Sequence, residues 1–212
     1  MLVIHPFILG PISTNCYLLT DSDSKEAVVL DPAWDGTRIY SEVKKMGIRI
    51  TQLWYTHAHF DHFGGAAELV RLLEDPPRVA LHPADVQLWK AGGGSVSFGM
   101  EMDSGPVPDL DLSLQSTLSL GTYLFQVFHA PGHSPGSCLF YNPGENVLFT
   151  GDLIFHHSVG RTDLPGGDWA ALQESILKKV YTLPGETRIL AGHGEETTVG
   201  EEKENNPFVP AF

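Results

Sequence analysis

Short apolar runs separated by turn residues make up the start of the chain. The apolar or β-branched runs are residues 2–9, 15–20 and 27–30. Gly10-Pro11 separates the first two runs, and the polar segment 21–24 separates the second from the third. Runs of this length that are bounded by turn residues are typical of strands. The pattern therefore predicts an antiparallel meander at the beginning of the fold.

The period of the apolar positions then changes from that of a strand to that of a helix. Ile39, Val43 and Met46 are spaced four and three residues apart, which places them on one helix face. Asp35 precedes this pattern as a favourable N-cap, and Gly47 follows it as a favourable end. We therefore predict an amphipathic helix between Asp35 and Gly47.

Strand-like and helical segments alternate through the remainder of the chain. Further strands are predicted at residues 50–55, 79–81, 118–120, 123–128, 137–141, 147–150 and 187–190. Further helices are predicted at residues 66–73, 83–89 and 169–180, with Asp168 as the cap of the last. The segment 95–108 has little periodicity and predicts a flexible loop that could cover a site.

The balance of these elements predicts the fold class. Strands dominate, and helices are inserted at intervals in both halves of the chain. Two sheets packed face to face, with helices on their outer surfaces, would bury every apolar face of such a set. A length of 212 residues fits one compact α/β (α+β) domain over residues 1–212.

Composition and charge restrict the classes of partner. The formal net charge is −13, and a field of that sign repels phosphate backbones and anionic lipid, so we expect no nucleic acid and no membrane as partners. The acidic segment 195–204 is interpreted as a solvated surface.

Cys16 and Cys138 lie in apolar strand-like segments and are interpreted as buried free thiols in a reducing cytosol, which predicts a cytoplasmic protein.

Three histidines and an aspartate stand together where a predicted strand gives way to a helix. They are His57, His59, Asp61 and His62. In extended backbone, residues two apart point the same way, so His57 and His59 can address one ion, while Asp61 and His62 turn to another side. This density of ligand-type residues at a strand-to-helix junction favours metal binding over a structural role for each histidine.

Three more ligand-type residues follow apolar strands and lie next to Gly or Pro. They are His133, Asp152 and His193. Each position puts an imidazole or a carboxylate at a strand end, where a rigid sheet can hold it. Five histidines and two aspartates are about what two adjacent four-coordinate ions need when one carboxylate bridges them. The other histidines are interpreted as surface, supporting or core residues; they are His5, His82, His129, His156 and His157.

The combination of His-x-His-x-Asp-His, a later Gly-His, Gly-Asp and Gly-His-Gly resembles the metallo-β-lactamase superfamily. The resemblance implies a four-layer αββα sandwich with the site at one edge, between the two halves. It also implies that His57, His59 and His133 bind one metal, and that Asp61, His62 and His193 bind a second. Asp152 would then bridge the two metals.

Within that superfamily, the residues resemble the short bacterial branch of glyoxalase II-like (hydroxyacylglutathione hydrolase-like) enzymes. His62 is present and no Cys ligand stands near Gly160, which argues against the commonest β-lactamase subclass. The segment 160–168 looks like that of the short bacterial members. Within that segment, Arg161 and Asp163 are interpreted as an ion pair that fixes the loop, with a substrate contact as the alternative.

The resemblance implies a metallo-hydrolase of small molecules, with a thioester such as S-lactoylglutathione as substrate. Two Zn²⁺ ions per chain, or Fe or Mn as in some relatives, would hold a bridging hydroxide that attacks the thioester carbonyl. Asp61 would orient that hydroxide as well as bind a metal. Two alternatives use the same residues: a persulfide dioxygenase with one iron held by His57, His133 and Asp152, and a lactonase or other ester hydrolase.

Overall fold

The computed structural model describes residues 1–210 and contains two six-stranded sheets. The strands of the first sheet, in spatial order, are β1 (Leu2–Leu9), β2 (Thr14–Asp21), β3 (Glu26–Leu30), β4 (Arg49–Trp54), β5 (Arg78–Leu81) and β6 (Leu110–Asp111). Strands β1 to β3 pair antiparallel, whereas β3 to β6 pair parallel. The predicted antiparallel meander is therefore confirmed, and it leads into the parallel half of the first sheet.

The second sheet is built from the later half of the chain. Its strands are β7 (Thr117–Leu120), β8 (Tyr123–His129), β9 (Cys138–Asn142), β10 (Val147–Gly151), β13 (Arg188–Ala191) and β14 (Thr197–Thr198). They lie in the order β14-β13-β10-β9-β8-β7, and only β10 and β13 pair parallel. Between β10 and β13 the chain forms a separate small hairpin of β11 (Ile154–Phe155) and β12 (Ser158–Val159).

Six α-helices accompany the sheets in the described residues. They are α1 (Gly36–Met46), α2 (Phe60–Phe63), α3 (Ala66–Leu72), α4 (Val86–Lys90), α5 (Trp169–Ser175) and α6 (Val199–Asn205). Asp35 and Asp168 cap α1 and α5, as predicted, by accepting from the backbone N–H groups of Arg38 and Ala171. Among residues 1–210, no helix is long and apolar enough to cross a bilayer.

Three apolar layers hold the sandwich together. The central layer lies between the sheets, where Trp54 of β4 packs edge-on against Phe125 of β8 with ring centroids 5.1 Å apart. A second layer joins α1 and α3 to the first sheet through Ile39 and Leu69. The third joins α5 to the second sheet, with Leu172 fully buried. Helix, sheet, sheet and helix therefore succeed one another, and the αββα prediction is confirmed.

Some boundaries differ from the predictions. The helix predicted over residues 169–180 is α-helical only to Ser175 and continues as a π-helical turn from Ile176 to Val180. The helix predicted over 83–89 begins as a 3₁₀ turn at Pro83–Asp85. The predicted loop 95–108 begins inside a 3₁₀ segment that runs from Gly92 to Phe98. Its later part is held by Trp89, whose indole Nε1 donates to the carbonyl of Ser104 at 2.7 Å.

Two residues that the sequence could place at the surface are buried. The acidic segment 195–204 is not wholly solvated, because Glu202 on α6 is completely buried. Thr197 Oγ1 and Asn206 Nδ2 donate to its carboxylate and offset the cost of burying the charge. His82, expected at the surface or in a supporting position, is also buried, and its ring stacks on that of His129 at 4.0 Å.

Candidate metal centre

The seven predicted ligand residues all lie where strands of the two sheets end at one edge of the sandwich. His57 follows β4 of the first sheet, and His59, Asp61 and His62 continue from it into α2. His133, Asp152 and His193 follow β8, β10 and β13 of the second sheet. A backbone bridge between Thr14 at the start of β2 and His193 joins the two sheets beside them. All seven residues therefore lie together at this edge of the sandwich, as expected for residues at strand ends.

The first group of side chains is formed by His57, His59 and His133. One ligand atom from each lies within 4.8 Å of those of the other two. Nδ1 of His59 lies only 2.8 Å from Nε2 of His133. Because His57 and His133 are almost completely buried, these nitrogens meet in a pocket that excludes most water.

The second group is formed by Asp61, His62 and His193, whose ligand atoms also lie within 4.8 Å of one another. Oδ2 of Asp61 lies 3.4 Å from Nε2 of His62 and 3.2 Å from Nε2 of His193. His193 is the most exposed of the three, with 27% of its side chain accessible, so this group faces the open side of the site.

Asp152 lies between the two groups. Its Oδ1 is 3.2 Å from Nε2 of His62, and its Oδ2 is 3.7 Å from Nε2 of His133 and 3.5 Å from Nε2 of His193. Gly192 makes this approach possible, since a Cβ there would lie 2.6 Å from Cε1 of His62. A carboxylate in this position can reach an ion in either group.

Neighbouring groups orient the imidazoles toward the centre. Nδ1 of His62 lies 2.9 Å from Oδ2 of Asp31, and Nδ1 of His133 lies 2.8 Å from the carbonyl of Arg161. Nδ1 of His57 lies 3.0 Å from Oγ1 of Thr56. Histidines that bind metals usually engage their other ring nitrogen in this way, which leaves Nε2 of each of these rings for the ion.

The donor set fits a metal because several buried atoms have no other partner. Nε2 of His57, Nε2 of His62 and Oδ1 of Asp152 are buried without a hydrogen bond. A buried polar atom without a partner costs about 1–3 kcal/mol, so three of them in one cluster indicate a ligand that satisfies them. Imidazole and carboxylate donors suit Zn²⁺, Fe and Mn, and the residues therefore fit the implied group.

The pKa shifts within the cluster also favour a bound cation. Burial, together with the neighbouring imidazoles, lowers the pKa of His59 to about 3 and lowers that of His57 well below its ordinary value. Burial alone would lower the pKa of His62, but the carboxylates of Asp61, Asp152 and Asp31 outweigh it and raise that pKa. Because an imidazole must be deprotonated to bind a metal, a cation at this cluster would displace the proton that the carboxylates favour on His62.

Several supporting residues were missed by the sequence analysis. Asp31 follows strand β3 and precedes Pro32, which is the same local pattern that identified the other ligand-type residues, so the sequence held a signal for it. Asp85 gave no such signal, because its partners are distant along the chain. Its carboxylate accepts from the N–H groups of Ala58 and Gly136 and from the hydroxyl of Ser134, at 3.0, 2.6 and 2.7 Å.

Arg161 and Asp163 form the predicted ion pair. The guanidinium makes two hydrogen bonds to the carboxylate, at 2.6 and 2.8 Å. Arg161 also lines the cavity above the cluster. His129, interpreted as a supporting or core residue, lies outside the cluster and is exposed rather than in the core, with its Nε2 2.9 Å from the carbonyl of Pro135.

An open cavity of about 320 Å³ lies directly over the cluster. His59, Asp61, His133, Asp152 and His193 form its floor. Its walls are mainly apolar and include Ile12, Leu88, Phe98, Leu164 and Pro165. A small molecule can therefore reach the cluster from solvent, which distinguishes it from a closed structural metal site.

This chain is similar to known proteins over almost its whole length. The family model described as the metallo-beta-lactamase superfamily matches residues 9–193. The probable metallo-hydrolase YqgX of Bacillus subtilis is 36% identical over 96% of this chain and 96% of its own length. The hydroxyacylglutathione hydrolase GloC of Haemophilus influenzae is 32% identical, with 92% of each chain covered.

Two solved structures are similar over almost the whole chain. The BLEG-1 B3 metallo-beta-lactamase is 39% identical with a TM-score of 0.91, covering 98% of this chain and 99% of that one. TTHA1623 in a di-iron-bound form is 39% identical with a TM-score of 0.86, covering 97% and 100%. Both agree with the αββα architecture described above.

Proposed function

The chain belongs to the metallo-beta-lactamase superfamily, and on that premise we propose that it hydrolyses thioesters such as S-lactoylglutathione with two Zn²⁺ ions. The convergence of the seven side chains carries this proposal. His57, His59 and His133 would hold one ion, while Asp61, His62 and His193 would hold the other. Asp152, within reach of both groups, would bridge the pair.

When bound, such a pair of ions would lower the pKa of a coordinated water and polarise a substrate carbonyl. The chain's own residues supply the rest. Oγ1 of Thr14 donates to Oδ2 of Asp61 at 3.0 Å and fixes the orientation of that carboxylate. Asp61 lies on the cavity floor, where it can accept a proton from the attacking water and hold that water in line with the substrate.

The cavity supports a small-molecule substrate with an apolar part and one anionic part. Ile12, Phe98 and Leu164 offer apolar contacts, and Arg161 is the basic residue in the described lining. Nε and Nη2 of Arg161 donate to Asp163, and the remaining N–H groups of the guanidinium can donate to a substrate carboxylate at the rim. A thioester that joins an acyl group to a thiol with a carboxylate fits that arrangement.

The similar proteins support the proposal at two levels. The 36% identity to a probable metallo-hydrolase supports hydrolysis, and the 32% identity to a hydroxyacylglutathione hydrolase supports a glutathione thioester. The similar structure in a di-iron-bound form supports two metals at the cluster, with iron as the alternative to zinc.

A second candidate activity is β-lactam hydrolysis. The specific observation in its favour is the 39% identity, over almost the entire chain, to a structure described as a B3 metallo-beta-lactamase. A β-lactam antibiotic and a glutathione thioester each carry a reactive carbonyl and a carboxylate in the same molecule, so the same metal cluster and Arg161 could bind either one.

A substrate panel run with metal quantified in the same preparation tests the proposal. The panel contains S-lactoylglutathione, an acyl lactone, the β-lactam nitrocefin and glutathione persulfide. We expect the thioester to give the highest kcat/KM, with two metal ions per chain. A higher kcat/KM for nitrocefin or for the lactone would contradict the thioester as the substrate. One iron per chain, with sulfite formed from glutathione persulfide, would establish the dioxygenase activity instead of hydrolysis.

The role of Asp61 is tested separately with Asp61→Asn. We expect kcat to fall by a factor of about 10²–10⁴, the range for loss of a positioned proton acceptor. Asp75→Asn serves as the control, because it removes an exposed carboxylate that does not line the cavity. Near-normal kcat in Asp61→Asn with full metal content would remove Asp61 from this role.

A further inference from the structure

A second cluster of ligand-type side chains lies outside the seven residues of the candidate metal centre. It consists of His156 and His157 at the tip of the β11–β12 hairpin and of Glu202 on α6. One ligand atom from each of the three lies within 4.8 Å of those of the other two. The two imidazole centroids are 4.0 Å apart.

The backbone at this hairpin is unusual for the residues that occupy it. His157 has a φ of 51°, in the left-handed region that Gly adopts freely and that residues with a Cβ adopt uncommonly, with Asn, Asp and His the more frequent among them. Backbone conformations of this kind are over-represented at ligand-binding and catalytic sites, and here the turn holds both imidazoles at the tip of the hairpin.

Each imidazole is already held through one nitrogen by a carboxylate. Nδ1 of His156 lies 2.9 Å from Oε1 of Glu195, and Nε2 of His157 lies 2.7 Å from Oε1 of Glu201. This is the arrangement of metal-binding histidines, in which an outer carboxylate fixes the ring and raises the basicity of the other nitrogen. The remaining nitrogens are Nε2 of His156 and Nδ1 of His157.

The third member supplies a negative charge at a fixed position. Glu202 is completely buried, and both of its oxygens accept from the backbone N–H of His157, at 3.2 and 3.0 Å. Thr197 and Asn206 hold the carboxylate from the other side. Three donors therefore share the roughly four lone-pair sites of the carboxylate, because the N–H of His157 is shared between both oxygens, and about one site is left for a cation.

We propose that His156, His157 and Glu202 form an additional site for a divalent transition-metal ion such as Zn²⁺. Two imidazoles and one carboxylate with the fourth position open to water are a common set for such ions. An ion here would join the β11–β12 hairpin to α6. Because Glu195 holds His156 and follows His193 by two residues, the ion would also steady the loop that leads from the cavity floor.

The test counts ions per chain rather than activity. Zn²⁺ binding is measured by equilibrium dialysis with atomic absorption for the full chain and for His157→Asn. Asn tolerates a left-handed φ, so this variant keeps the turn and loses the ligand. We expect the wild type to bind one more Zn²⁺ per chain than His157→Asn, whatever the number held by the cavity floor.

Two further variants make the result specific. Glu201→Gln keeps both imidazoles but removes the carboxylate that holds His157, and we expect affinity for that ion to weaken about 10–100-fold. His129→Asn removes an exposed histidine that stacks on His82, away from the proposed site, and should leave the number of bound Zn²⁺ ions unchanged. Equal Zn²⁺ counts in the wild type and His157→Asn would overturn the proposal, and His156 and His157 would then only form ion pairs with Glu195 and Glu201. A lower count in His129→Asn would also overturn it, because Zn²⁺ would then bind exposed histidines nonspecifically.

Discussion

Nδ1 of His62 donates to Oδ2 of Asp31 at 2.9 Å, with both side chains excluded from solvent. The same carboxylate accepts from the backbone N–H and the hydroxyl of Thr56, each at 2.7 Å. One aspartate therefore joins the end of β3 to the segment that carries His57 and to the first turn of α2. Burial raises the pKa of Asp31, while these hydrogen bonds and the charge of His62 act against that rise.

Asp31 is expected to control metal affinity without binding metal. In Asp31→Asn the amide oxygen can still accept from His62, but the charge that favours the correct ring orientation is lost. We expect metal affinity to fall about 10–100-fold, the usual effect of such outer partners. Competition with a chelator of known affinity measures the change, and an unchanged affinity would show that Thr56 suffices to orient the site.

Asp85 is expected to contribute to stability through its three buried contacts. Asp85→Ala leaves two backbone N–H groups and the hydroxyl of Ser134 without that acceptor. We expect the free energy of unfolding to fall by about 3 kcal/mol or more, because each unsatisfied buried donor costs about 1–3 kcal/mol. Urea denaturation measures the loss.

The exposed Asp75 provides the control for this measurement. Asp75→Ala should change the free energy of unfolding by less than about 0.5 kcal/mol, as surface substitutions usually do. An equally small loss of unfolding free energy in Asp85→Ala would mean that water replaces the carboxylate as the hydrogen-bond acceptor for Ala58 and Gly136.

Gly93 and Gly94 form a matched pair for testing the cavity wall. Both have positive φ, at 65° and 81°. A Cβ at Gly93 would lie 2.7 Å from Cα of Phe60, whereas a Cβ at Gly94 would meet nothing within 4 Å. We expect Gly94→Ala to show only the backbone strain of about 1–2 kcal/mol.

Gly93→Ala should in addition displace Phe60, which stands between His59 and Asp61, and so lower kcat/KM. Thermal unfolding and steady-state kinetics on both variants separate the two effects. Equal losses of activity in Gly93→Ala and Gly94→Ala would mean that strain alone, rather than contact with Phe60, disturbs the site.

Cys16 and Cys138 are expected to be inert in the folded protein. Burial, with the charge of Asp31 near Cys16 and of Asp85 near Cys138, raises the pKa of both thiols well above the ordinary value. Since only the thiolate reacts quickly, labelling by iodoacetamide should proceed no faster than unfolding.

The same shift has a consequence for stability. Unfolded cysteines lose their protons near pH about 8.5, while the buried thiols keep theirs. The free energy of unfolding should therefore be unaffected by these groups below about pH 8.5 and should fall as the pH rises above it. Comparing wild type with Cys16→Ala/Cys138→Ala isolates this slope, and parallel curves for the two proteins would contradict the raised pKa values.

Arg161 and Asp163 can be assigned to loop support or to substrate binding by comparing two variants. Arg161→Met and Asp163→Asn both break the ion pair, so a purely structural pair would give similar losses in each. Because Arg161 lines the cavity and Asp163 is not among its lining residues, we expect Arg161→Met to raise KM more than Asp163→Asn. Equal KM values would restrict the pair to supporting the loop.

The sequence by itself determined the ligand-type residues and the type of fold. His57, His133, Asp152 and His193 could be identified because each stands beside a strand end, and that pattern is local. The period of apolar positions likewise depends on near neighbours, so the strands and the capped helices α1 and α5 were predictable. Asp31 obeys the same local rule and was within reach of it.

Only the tertiary structure decided which distant residues support these groups. Asp85 contacts Ala58 and Gly136 because the two sheets bring their loops together, and nothing near Asp85 in sequence indicates it. The burial of Glu202 beneath His157 depends in the same way on how α6 packs against the β11–β12 hairpin. Contacts between residues far apart in the chain form only when the whole sandwich closes, so no local pattern carries them.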